Sequence, residues 1–159
     1  MKNPIVLLVR RYVLRHTQSS TPTSLLPMQQ IRNAVVYVDG LTAAEDPTVA
    51  CRLAQRLLLD RGIEVRILCP GKKDLDWIGR IKPERRDETL CDLFLSLADP
   101  LDFTAEYEAR RAEARFKAGR CALTGGVFDL VASTPRTEQT PAKQADAIPA
   151  ILEILDKIQ

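Results

Sequence analysis

The sequence predicts one α/β domain built as a three-layer sandwich, with a mainly parallel open sheet between helices. Three observations carry that prediction. Short apolar runs rich in β-branched residues, "AVVYV", "IEVRIL", "CDLFLSL" and "VFDLVAS", alternate along the chain with segments whose apolar residues recur at helical spacing. A strand, a helix and a second strand in succession make a right-handed parallel unit. The chain has 159 residues, 45% of them hydrophobic and 28% charged, which suits a single globular core.

The first element is a basic amphipathic helix over residues 3–16. Asn3 caps it, Pro4 occupies the first helical position, and Ile5, Leu8, Val9, Tyr12 and Val13 share one face, with Arg10, Arg11 and Arg15 on the flanks and far side. The apolar run Ile5 to Val9 is too short for an export signal, and Arg10-Arg11 ends it. Residues 17–30, "TQSSTPTSLLPMQQ", read as a Ser/Thr/Pro linker, so residues 1–30 form an N-terminal extension and 31–159 the domain.

Strand 34–38 is apolar throughout, as a strand covered on both faces should be, and ends at Asp39-Gly40. Asp46-Pro47 then caps a helix in which Ala50, Leu53, Ala54, Leu57 and Leu58 line one face, and Gly62 stops it. Strand 63–68 alternates Ile63, Val65 and Ile67 with Glu64 and Arg66, the pattern of a strand nearer an edge. A long connection, "GKKDLDWIGRIK" with "PERRDE", leads to strand 91–97. Trp77 in that connection is expected to be an anchor buried on the core, because a ring left in water forgoes a large apolar contribution.

Next, "DFTAEYEARRAEARFKAGR" reads as one helix, with Ala105, Ala109, Ala112 and Phe116 in a stripe and Glu106–Arg110 and Glu113–Lys117 spaced for ion pairs on the outside. Gly125-Gly126 allow a tight turn into strand 127–133, and a final helix presents Ile148, Ile151, Leu152, Leu155 and Ile158, with Pro149 near its start. At least four strands and three or four helices in this order describe a Rossmann-like or flavodoxin-like sheet with helices on both faces. With "KKDLDWIG", "DLFLSL", "ARFKAGR" and "VFDLVAS" in view, the chain from about residue 31 to its end resembles a family of small bacterial α/β proteins known as a domain of unknown function. That resemblance implies an uncharacterised bacterial protein and transfers no active-site residues. Cysteines read as reduced place the protein in the cytoplasm, and the basic N-terminal helix allows a peripheral position at the inner face of the membrane.

Charge is distributed unevenly. The net formal charge is +2, yet residues 1–38 hold Lys2, Arg10, Arg11, Arg15 and Arg32 and no acid, leaving the remainder slightly acidic. Around Lys82, Arg85 and Arg86, acids interrupt the positive charge, so a nucleic-acid partner is not expected. The four cysteines, at 51, 69, 91 and 121, form no C-x-x-C pair and read as reduced, buried thiols. His16 is the only histidine and is remote from them in sequence, so no metal site is expected.

In an open parallel sheet, ligands sit beyond the carboxyl ends of the strands. That rim carries Asp39, Cys69, Asp99 and Ser133, with Thr42 on the loop after the first strand. The Asp39 carboxylate is suited to holding a metal or acting as a base, but Asp-Gly after a strand is more often turn chemistry. Lys72, Lys73, Lys117 and Arg120 are the cations an anionic ligand would meet beside it, with Trp77 as a lid, and Asp99-Pro100 shares the ordinary turn explanation. No phosphate-loop, nucleophile-elbow or zinc-protease motif is present, and no cofactor is expected. Two function classes therefore stand. One is a non-catalytic binding domain whose N-terminal helix docks on a protein partner, a second copy or an anionic membrane surface. The other is a small enzyme or anion- or nucleotide-binding protein working through Asp39.

Overall fold

The computed structural model describes residues 3–18, 22–42, 46–85, 90–99, 102–123, 125–132 and 143–158. Its centre is a five-stranded sheet in the order β2-β1-β3-β4-β5, with every neighbouring pair parallel. The strands are β1 (Asn33–Tyr37), β2 (Glu64–Leu68), β3 (Cys91–Ser96), β4 (Ala114–Gly119) and β5 (Leu130–Val131). Four α-helices accompany them: α1 (Pro4–Arg15), α2 (Pro47–Leu59), α3 (Phe103–Arg111) and α4 (Gln144–Asp156). The strand order is that of the flavodoxin-like α/β folds.

Alternation along the strands divides the core into two layers. Val36, Val38, Leu93, Leu95, Phe116 and Ala118 face α2 and α4, which supply Ala50, Ala54, Leu58, Ile148, Ile151 and Leu155. Val35, Tyr37 and Phe94 point the other way, onto Ala105 and Ala109 of α3. Small residues on α3 let it lie close to the sheet. The edge position read for residues 63–68 is correct: β2 pairs only with β1 and its residues are half-buried or exposed.

Caps form where the sequence placed them. Asn3 Oδ1 accepts the Ile5 amide at 2.9 Å, and Asp46 Oδ1 accepts the Thr48 amide at 2.9 Å, with proline following each cap. Gly62 adopts φ 75° after α2, a left-handed conformation that glycine enters without steric cost.

Four expectations are corrected. The segment read as one helix is a helix and a strand: α3 stops at Arg111, and "ARFKAG" is β4, with Phe116 in the core and Lys117 in the sheet. Pairing with β3 outweighs helix propensity there, because Phe116 gains a buried position opposite Leu93. The Glu106–Arg110 ion pair does form, at 2.9 Å. In the segment expected to be a strand over 127–133, only Leu130 and Val131 are strand; Ser133 lies outside the described residues. Pro149 stands in the second turn of α4 rather than at its start.

Trp77 is the fourth correction, since its side chain is 68% exposed. Residues 74–82 fold into a small hairpin around Asp76, whose Oδ1 accepts the amides of Ile78, Gly79 and Arg80 at 3.1, 3.0 and 2.9 Å. Arg80 Nε donates to Asp76 Oδ2 at 2.9 Å. Burial pushes the Asp76 carboxyl up, but the Arg80 amide and guanidinium outweigh it and hold the group below its ordinary value. This turn directs Ile78 and Ile81 inward, where both are buried, and leaves position 77 at the outer corner. The anchor exists, but two isoleucines supply it.

The helix α1 rests against α3, and the side that docks is not the one with the most large apolar residues. Arg10, read as lying on a flank, turns inward: its Nε donates to the Ile78 carbonyl at 2.6 Å and its guanidinium lies 4.9 Å from the Phe103 ring centre. Gly79, at φ 104°, makes room for it, since a Cβ there would stand 2.8 Å from Arg10 Nη2. Val6, Val9 and Val13 are half-buried, whereas Ile5, Leu8 and Tyr12 are 64%, 65% and 64% exposed. Residues 22–30 lie along the domain: Leu26 is buried in the core, the Ser24 amide donates to the Arg115 carbonyl at 2.9 Å, and Thr23 Oγ1 donates to Asp129 Oδ1 at 3.1 Å.

Candidate functional site

The chain leaves β1 toward one face of the sheet and β3 toward the other, because α2 and α3 lie on opposite sides. Their carboxyl ends therefore diverge, and the crevice between them is where this fold places ligands. Asp39, Asp99 and Asp102 gather at that point.

Each carboxylate also has a local task. Asp39 Oδ1 accepts the amides of Leu41 and Thr42 at 2.8 and 3.0 Å, and Oδ2 accepts the Thr42 hydroxyl. This is the turn chemistry that Asp-Gly led us to expect. The backbone of Asp39 is clamped to the start of α4: its amide donates to Gln144 Oε1 at 2.7 Å, and Gln144 Nε2 donates to its carbonyl at 2.9 Å. Gln144 is buried, and the sequence offered no sign of this long-range pairing. Asp99 follows β3 and accepts from Arg120 Nη2. Arg120 is itself buried, with its Nε donating to the Leu97 carbonyl at 2.7 Å. Asp102 caps α3 by accepting the Ala105 amide at 3.1 Å.

Electrostatic coupling joins these residues. Burial pushes the Asp102 carboxyl up to about 6, the charges of Asp39 and Asp99 add to that, and hydrogen bonds from Ala105 and Thr104 only partly oppose it. Burial, then Asp102 and Asp39, likewise raise the Tyr37 phenol far above its ordinary value. Asp102 was absent from the sequence-derived rim, because "DFTAEY" looked only like a helix start. Its position three residues beyond Asp99, after a strand, was the available signal.

The expected cations do not surround Asp39. Lys72 and Lys73 are exposed on a single 3-10 turn, Lys72–Asp74, beyond β2. Lys117 lies beneath the end of α3, where its ammonium donates to the carbonyls of Ala109 and Arg110 at 2.7 and 3.4 Å. Burial lowers its pKa to about 8 despite Asp129 nearby. It borders a cavity of about 210 Å³ lined by Thr17, Thr23, Arg110, Gly125 and Val127. Arg120 does reach the rim, but it pairs with Asp99 rather than Asp39. Among the described residues, no group of three or more histidine, cysteine or acidic side chains is placed to hold a metal ion by itself. Among them too, no helix is long and apolar enough to cross a membrane.

The cysteines also depart from expectation. All four are free, but Cys69 is exposed and Cys51 half-buried; Cys91 and Cys121 alone are buried. Compared with protein-family models, with curated proteins and with solved structures, the chain matches none.

Proposed function

We propose that this chain is a binding domain that docks peripherally on an anionic lipid surface through the outer face of α1. One observation carries the reading. Ile5, Leu8 and Tyr12 stand exposed in a stripe one helical face wide, beside exposed Arg11 and Arg15, while Arg10 and the valines hold the helix to the domain. His16 stacks on Tyr12 at 4.2 Å and extends the stripe.

Charge selects the occupant. No acid occurs in residues 1–38, so a second copy docking by the same face would bring Arg11 and Arg15 against their own counterparts. Anionic headgroups complement them, each arginine contributing about 1 kcal/mol near such a surface. Three large apolar side chains make the attachment reversible.

The test is sedimentation of the full chain with phosphatidylglycerol-containing and pure phosphatidylcholine vesicles. The anionic vesicles should carry the protein down, Arg11→Gln/Arg15→Gln should weaken partitioning by about 30-fold, and Leu8→Asp should abolish it without changing the melting temperature. Equal behaviour of the two vesicle types, or a dimer in light scattering that Leu8→Asp splits, would overturn the reading.

A second reading is favoured by the diverging carboxyl ends of β1 and β3: the crevice between them takes an anionic ligand such as a nucleotide, with Asp39 on its rim and Arg120 as the cation that reaches it. An added nucleotide should then raise the melting temperature of the wild type and leave Asp39→Asn unmoved. A response identical in both proteins removes the rim from consideration.

A further inference from the structure

We propose that Cys51 and Cys69 are a disulfide-forming pair, a covalent modification site that takes a low-molecular-weight disulfide such as oxidised glutathione as its oxidant. The two residues are distant in sequence, and the fold brings them together. Cys51 lies in the second turn of α2 and Cys69 directly follows β2, both at the carboxyl end of the sheet. Cys69 Sγ packs over Gly40, where a Cβ would stand 3.0 Å away, and the Pro47 ring lies against the same position at 3.6 Å, so the thiol is set beside the first turn of α2 with Cys51 one turn further on. The two thiols interact electrostatically across that gap. Cys69 is exposed and Cys51 half-buried, which admits a small reagent; Cys91 and Cys121 are buried.

The surroundings set the pace of the exchange. Asp39 at the end of β1 faces Cys69, and Asp46 at the cap of α2 faces Cys51. Burial, then Cys51 and the Asp39 carboxylate, push the Cys69 thiol up to about 11; burial, with a smaller contribution from Asp46, raises Cys51 as well. Thiolate is therefore scarce at neutral pH, so attack on a disulfide is slow there and quickens as pH rises, while the neighbouring thiol is placed to close the mixed disulfide once it forms.

The exchange balances in two steps. The thiolate of one cysteine attacks a sulfur of oxidised glutathione, forming a protein–glutathione mixed disulfide and releasing glutathione thiolate, which takes up the proton the cysteine lost. The second cysteine then attacks the protein-side sulfur, closing Cys51 onto Cys69 and releasing the second glutathione with the second proton. The protein loses two hydrogens and two electrons, and one oxidised glutathione becomes two reduced ones. The product ties the early turns of α2 to the end of β2, beside the Asp39 turn.

The reduced full-length protein, incubated with oxidised glutathione at about pH 8.5 and then alkylated, tests this by intact mass and peptide mapping. The wild type should lose two hydrogens and yield a Cys51–Cys69 cross-linked peptide. Its closure rate should rise about tenfold per pH unit as thiolate accumulates. Cys51→Ser should instead retain glutathione on Cys69, because nothing displaces it, and Cys121→Ser should close like the wild type. A stable glutathione adduct on wild-type Cys69, a cross-link through Cys91 or Cys121, or no modification at equilibrium would each overturn the proposal. Cys69→Ser, at an exposed position, keeps the test open should Cys51→Ser fail to fold.

Discussion

Asp102→Asn is expected to stabilise the protein at pH 7 by up to about 3 kcal/mol. The Asp102 carboxyl is raised from its ordinary value near 3.8 to about 6 by burial and by the neighbouring charges of Asp39 and Asp99. Between those values the folded state binds the proton more tightly than the unfolded chain. Stability is therefore fully present below about pH 4 and declines as pH climbs through 6, where the folded protein must carry an ionised, poorly solvated group. Asparagine cannot ionise, yet its side-chain oxygen still accepts the Ala105 amide and caps α3. Urea denaturation at pH 4 and pH 7 checks the prediction: the variant's gain should appear at pH 7 and vanish at pH 4. Equal destabilisation at both would show that the carboxylate is favourable where it stands.

Gly119→Ala is expected to cost about 2–3 kcal/mol, at the upper end of what overpacking does. Gly119 closes β4 between Ser96 of β3 and Val131 of β5, and the Phe128 ring lies flat against it. A Cβ there would stand 2.3, 2.5 and 2.7 Å from three ring carbons, so the ring has to leave. Moving it also disturbs the approach to β5, where the Asp129 amide donates to the Lys117 carbonyl at 2.7 Å. In a Phe128→Ala background the same substitution should cost much less, and denaturation of the four proteins measures that coupling. A full penalty without the ring would place the strain in the backbone instead.

Much of this fold was legible in the residues. Four of the five strands fall on the apolar runs that named them, and the caps Asn3 and Asp46 followed from short-range chemistry. β4 was hidden because "AEARFKAG" has good helix formers, and only pairing with β3 makes it a strand. Asp39 was legible both as a rim residue and as a turn former, and it is both. Its companions were less so. Asp102 reads only as part of a helical segment, Lys117 reads as helical although it lies in β4, and the approach of Cys51 to Cys69 leaves no trace in spacing.

The largest misjudgements concern direction. Trp77 was read by asking which side chain gains most from burial, and two smaller neighbours, Ile78 and Ile81, are buried instead; Arg10 of α1 was read on a flank and turns inward. Around Trp77, the three amides gathered by Asp76 decide which residue points inward. In α1, the Ile78 carbonyl and the Phe103 ring claim Arg10, which rotates the helix and exposes Ile5, Leu8 and Tyr12.

By itself the sequence determined the alternation of elements, their caps and the layered parallel sheet, because periodicity and capping act within a few residues of one another. The tertiary structure alone decided which carboxylates share the crevice, which thiols meet and which face of α1 is left outside. Those outcomes depend on contacts between segments far apart in the chain, and a hydrogen bond to a particular carbonyl can overrule the burial preference of a whole helical face.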